Sequence, residues 1–149
     1  MNTSYQENRT LSYLISTVAV STYYLYFLWG EYQMGAFEGE RMASEWGWTV
    51  LKLIGANVVL SIIASIAVSI TYAILNKEQE KEVTDERDRL FELKASKISF
   101  GAFGIGFLGA MLALGLGAGP IWMLNLTVLS ILFAAMLGYV AQLYFYRRG

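Results

Sequence analysis

ISFGAFGIGFLGAMLALGLGAGPIWMLNLTVLSILFAAMLGYVAQLYFY, residues 98–146, runs for 49 residues without a single Asp, Glu, Lys or Arg. A bilayer core of roughly 30 Å needs about 20 predominantly apolar helical residues to cross it. The run is therefore long enough for two crossings, and Gly115-Leu-Gly-Ala-Gly-Pro120 divides it. Glycines let the chain reverse, and Pro120 suits the first turn of the following helix, where its missing N–H costs nothing. Working outward, Leu53–Leu75 is uncharged for 23 residues and Thr10–Gly30 for 21. Each fits one further crossing. A soluble bundle would have to hide 49 consecutive uncharged residues inside 149, which the hydropathy rule disfavours. The expected fold is an all-α integral membrane protein, a four-transmembrane-helix bundle forming one membrane domain over residues 1–149. Its spans fall near 10–29, 49–75, 98–116 and 121–146, with a loop at 30–48 and a charged segment at 76–97.

The first span reads as retained. Arg9 precedes it and Ala19-Val-Ser21 offers small residues, but Tyr23-Tyr-Leu-Tyr-Phe-Leu-Trp29 follows without a cleavage site near its end. Aromatics at the end of a span form an interfacial belt.

Basic residues set the orientation. The N-terminus, the segment 76–97 and the C-terminus hold Arg9, Lys77, Lys81, Arg87, Arg89, Lys94, Lys97, Arg147 and Arg148, nine of the eleven. The opposite side has only Arg41 and Lys52. The positive-inside rule then places both termini in the cytoplasm. With no breaker between Asp85 and Gly101 the third helix is expected to extend into the cytoplasm as a charged helix, and the expected location is the plasma (inner) membrane.

Composition narrows the chemistry. The chain has no Cys and no His, hydrophobic residues make up 56% and charged residues 15%, and the net charge is -1. Thiolate zinc sites, His-ligated haem and Ser-His-Asp triads are excluded by residue type. A near-neutral chain gives no reason to expect direct nucleic-acid binding. No ionisable acid or base lies near the midplane of any span, which argues against proton-coupled transport and voltage sensing. Neither a catalytic residue nor a cofactor or metal ligand is expected. Gly104-Ile-Gly106-Phe-Leu-Gly109 matches the dinucleotide fingerprint in letters only, because that motif works as the turn after a strand. The loop acids Glu31, Glu38, Glu40 and Glu45 lack the spacing of a calcium cage and read as a solvated face.

Within the spans, small and polar residues recur at helical spacing. Asn57, Ser61, Ser65, Ser69 and Ala73 form one ridge on the second. Ala102, Gly106 and Ala110, with Gly109, Ala113 and Gly117 beside them, mark the third, and Ser130, Ala134 and Gly138 the fourth. Lipid tails are as apolar as Leu, so membrane helices associate through such close-packing faces and through interhelical hydrogen bonds. Packing within the bundle or between copies is the plainer expectation. The sharper one is that Asn57, Ser61, Ser65 and Asn125 line a polar cavity.

The segment Lys77-Glu-Gln-Glu-Lys-Glu-Val-Thr-Asp-Glu-Arg-Asp-Arg-Leu-Phe-Glu-Leu-Lys-Ala-Ser-Lys97 holds seven acids and six bases. Thr84 or Asp85 suits a helix N-cap, and Asp85 and Glu86 pair with Arg89 at i,i+4 and i,i+3. Leu90, Phe91 and Leu93 stand among Asp85, Glu86, Arg87, Asp88, Arg89, Glu92 and Lys94 as apolar anchors for a cytoplasmic partner.

Ser4-Tyr-Gln-Glu-Asn-Arg-Thr10, Asp85-Glu-Arg-Asp-Arg-Leu-Phe-Glu-Leu-Lys94 and Gln142-Leu-Tyr-Phe-Tyr-Arg-Arg-Gly149 occur in that order. Together they resemble a group of small prokaryotic four-span predicted membrane proteins of unknown function, the DUF2178-like group. Genes of that group often lie beside one for a short helix-turn-helix regulator, so the resemblance implies a transcription factor as a partner. It implies no catalytic residues. The expected function is a non-enzymatic regulatory, sensor or scaffolding protein that docks a soluble partner through 77–97 and associates with itself. The alternative is a small oligomeric channel or passive transporter that uses the ridge on the second span.

Overall fold

In a computed structural model that describes residues 5–34, 42–75 and 86–148, the chain forms four long helices. These are α1 (Tyr5–Gln33), α2 (Met42–Leu75), α3 (Glu86–Gly115) and α4 (Pro120–Arg148). All four are long and apolar enough to cross a membrane, and no strand occurs among the described residues. Each helix continues beyond the apolar run that marks its span. Charged turns lose little helix propensity outside the bilayer, so hydropathy marks the membrane core and not the helix ends.

The turn between α3 and α4 forms as its residues dictate. Gly117 takes a left-handed conformation at φ 96°, which costs a glycine nothing. The Ala118 N–H donates to the Ala113 carbonyl at 3.0 Å and the Gly117 N–H to that of Leu114 at 3.0 Å, closing a Schellman motif. Gly119 then caps α4. Its carbonyl accepts from the Trp122 N–H at 3.0 Å, with Pro120 at the first helical position.

Among the described residues the helices pack in the spatial order α3, α4, α1, α2, with no paired contact between α2 and α3 comparable to the others. The bundle is thus open along one side. The tightest contact is α3 on α4, where small residues meet. A Cβ added to Gly106 would fall 2.6 Å from the Ser130 Cβ, and one added to Gly138 would fall 3.1 Å from that of Ser99. Ala110 and Ala134 are buried in the same seam, and the Ser99 hydroxyl donates across it to the Ala134 carbonyl at 2.8 Å. Close backbone approach is what small residues permit in lipid.

Gly109 does not share this role. It faces outward on α3 with nothing within 4 Å of an added Cβ, so the row of α3 that packs is the one through Ala95, Ser99, Gly106 and Ala110. Ala113, on the neighbouring row, is half-buried. The sequence offers both rows, and pairing with α4 selects one.

Candidate functional site

Three helices converge on Asn125. It sits in the second turn of α4, 2% exposed, and its Oδ1 accepts from the Tyr24 hydroxyl of α1 and the Trp46 indole N–H of α2, each at 2.7 Å. Two donors on one oxygen fix the amide orientation, because the flipped amide would turn its N–H groups toward them. Nδ2 is left buried without a hydrogen-bond partner among the described residues. Around this hub Val20, Tyr24 and Leu53 are buried and pack with Val50, Val128 and Leu132. The expectation that Asn125 serves helix packing or a cavity gains defined partners here. Tyr24 and Trp46 were not legible as those partners, being 101 and 79 residues away in sequence.

From the hub a cleft runs toward the end of the molecule that carries both chain termini. An apolar cavity of about 230 Å³ lies between α1, α2 and α4, with Val20, Leu53, Val128 and Leu132 in its wall. It shares Asn57, Val58 and Tyr139 with a second cavity of about 440 Å³, lined also by Tyr13, Ser61 and Ser65. A third of about 660 Å³ between α3 and α4 shares Ile131, Ala135 and Tyr139 with the first.

The ridge of α2 therefore faces inward at Asn57, Ser61 and Ser65, each half-buried. Asn57 Oδ1 accepts from the Ser61 hydroxyl at 3.3 Å, and Ser69 donates back to the Ser65 carbonyl at 2.9 Å. Opposite stand Tyr13 and Tyr139, with ring centroids 6.0 Å apart. Arg9 Nε donates to the Tyr13 hydroxyl at 3.0 Å. Neither tyrosine was foreseen. The available signal was their depth, eight or more residues inside the helix ends, where interfacial tyrosines do not belong.

At the end of the molecule where α3 begins, its first turns do not stand alone. Phe91, 9% exposed, stacks on Phe145 of α4 at 6.0 Å and meets Tyr146 edge-on at 5.6 Å. Lys94 lies 5.8 Å over the Phe145 ring, and Arg87 lies 5.3 Å over that of Phe91. Phe91 is thus an internal anchor and is not available as an outward contact, contrary to the sequence expectation. Leu90 and Leu93 do face outward, 55% and 56% exposed. Glu86, Arg89, Glu92 and Lys94 are exposed around them and Asp88 is half-buried. Asp85 and the rest of 76–85 lie outside the described residues, as do Glu38 and Glu40 of the loop. Beside this end Arg147 Nε bonds Glu7 Oε1 at 2.9 Å, tying the last turn of α4 to the first of α1.

Four helices of membrane-crossing length, joined by small-residue and aromatic–amide seams, define a multi-pass membrane protein. Residues 7–149 match the model of the family described as predicted membrane protein (DUF2178), and the chain belongs to that family. Neither the curated proteins nor the solved structures give a match.

Proposed function

We propose that this protein is a non-enzymatic regulatory or scaffolding protein of the prokaryotic plasma membrane, with both termini in the cytoplasm. It holds a soluble partner on the charged first turns of α3. The observation that supports this is the division of labour among three neighbours: Phe91 is locked onto α4 while Leu90 and Leu93 remain exposed within a ring of charge. A surface already stiffened by its own helix pair loses little entropy when a partner binds. Its mixed signs would set orientation and association rate, and the two leucines would supply the apolar contact. The family resemblance points to a helix-turn-helix regulator as the partner.

The test is capture of soluble protein by the full-length chain in native membranes. Arg89→Glu is the cleaner variant, because Arg87 also covers the Phe91 ring. Capture by the wild type that falls about tenfold in Arg89→Glu, with unchanged thermal stability, is the expected result. A wild type that retains no soluble protein contradicts the proposal.

Self-association belongs to the same reading. α2 is flanked chiefly by α1 and leaves Gly55 and Ala56 exposed, a face on which a second copy can approach. The alternative, a small oligomeric channel, rests on the half-buried Asn57–Ser69 ridge. It requires solute flux in liposomes that falls in Asn57→Leu.

A further inference from the structure

The two cavities that share Asn57 and Tyr139 differ in character. The wall of the larger one presents Tyr13, Asn57, Ser61, Ser65 and Tyr139, and the wall of the smaller is mostly Val, Leu and Ile. No Asp, Glu, Lys or Arg lines either. Val58, Ile62 and Ile66, on the rim of the larger, are 53%, 54% and 53% exposed, so it opens sideways from the bundle, where a bilayer would lie. A polar group facing hydrocarbon costs several kcal/mol unless it finds a hydrogen-bond partner.

The groups in the larger cavity are short of acceptors. Asn57 Oδ1 accepts from Ser61, and the Asn57 amide N–H groups have no hydrogen bond among the described residues. The Tyr13 hydroxyl already accepts from Arg9 and is hydrogen-bonded to Ser65, so the groups left without a partner among the described residues are the Asn57 amide N–H and the Tyr139 hydroxyl. The Tyr139 hydroxyl has no hydrogen bond among the described residues, although its ring is fixed beside Tyr13. The occupant that suits this arrangement brings acceptor oxygens without charge, and a chain to fill the apolar continuation.

We propose that the joined cavity is a lateral binding site for a neutral amphiphile, with its carbonyl head between Asn57 and Tyr139 and its apolar chain running toward Val20 and Val128. An ester-bearing glyceride and a quinone share this chemistry. The combined size falls within the range of ordinary ligand pockets, roughly 300–1,000 Å³. The site is separate from the charged start of α3 and does not depend on a soluble partner.

The test uses the full-length protein in vesicles of dialkyl-ether phosphatidylcholine, a background without carbonyls. The probe is a diacylglycerol carrying a diazirine in one acyl chain. Saturable labelling within residues 50–58 and 128–139 is expected, displaced by dioleoylglycerol or by decylbenzoquinone but not by hexadecane. Whichever competitor acts at the lower concentration identifies the source of the carbonyl. Tyr139→Phe and Asn57→Leu should each weaken binding about fivefold, as loss of one neutral hydrogen bond predicts. The proposal is overturned by labelling spread over all exposed faces, by equal displacement with hexadecane, or by unchanged binding in both folded variants. Cross-linking of these residues to a second copy in place of the probe also overturns it. The competition series on the wild type decides the matter if a variant does not fold.

Discussion

The seam between α3 and α4 and the seam that holds α2 are built from opposite materials. At the first, Gly106 faces Ser130 and Gly138 faces Ser99, and the backbones approach until an added methyl has no room. At the second, Tyr13, Tyr24, Trp46, Asn57 and Tyr139 stand between the helices, with Tyr24 and Trp46 hydrogen-bonded to Asn125 and with Tyr13, Asn57 and Tyr139 lining cavities. Inside a membrane no hydrophobic effect drives helices together, so the side chains at a seam decide how close they come. Small residues give a close pair. Large amphipathic residues hold helices apart and tie them at a few points, which leaves space that lipid or a ligand can enter.

The contrast can be broken at either seam, and the largest effect is expected where no space exists. Gly106→Leu should destabilise the protein by about 3 kcal/mol through overpacking against Ser130, whereas Gly109→Leu, facing open space, should change it by less than about 0.5 kcal/mol. Reversible unfolding in bicelles measures both, and equal losses would remove the distinction between the two glycine rows. Asn125→Leu strips the acceptor from one buried and one half-buried donor and should cost about 2 kcal/mol, with the Trp46 emission spectrum shifted by the lost hydrogen bond. An unchanged spectrum would show that the hub does not hold α2. Phe91→Ala removes the stack on Phe145 and Tyr146 and should cost about 2 kcal/mol or less at a half-solvated helix end. Amide exchange should rise in residues 86–95 and stay unchanged around Gly106. The smallest effect belongs to Glu7→Gln. It breaks the ion pair to Arg147, 64% exposed, and should cost under about 0.5 kcal/mol, vanishing at high salt.

The spans were legible because crossing a bilayer demands an uncharged run, and the turn at 115–120 because glycine and proline have few other uses in such a run. Gly106, Ser130, Ala134 and Gly138 could be read as packing residues from spacing alone. The choice between Gly106 and Gly109 could not, since one helix offers several small-residue rows and only the partner helix selects among them. Phe91 read as an anchor for a partner because sequence shows the charges around it but not the end of α4 beside it. The Tyr24–Trp46–Asn125 hub joins residues on three helices, a pairing no local pattern encodes. The ridge of α2 was visible. The tyrosines that face it were hidden by the habit of assigning aromatics in membrane helices to the interface.

The open side of the bundle is tested most directly by cysteine cross-linking in native membranes, which the absence of native cysteines makes clean. Ser99→Cys with Gly138→Cys places two thiols across the α3–α4 seam with their Cβ atoms 3.1 Å apart, so that an outward shift of a few tenths of an ångström reaches the separation of roughly 3.5–4.5 Å that a disulfide takes. Ser61→Cys with Phe103→Cys places them on α2 and α3. Rapid bridging of the first pair with none of the second is the predicted result. Bridging of 61 to 103 within one chain, as fast as 99 to 138, would mean that α2 and α3 pack together and that the bundle is closed on that side.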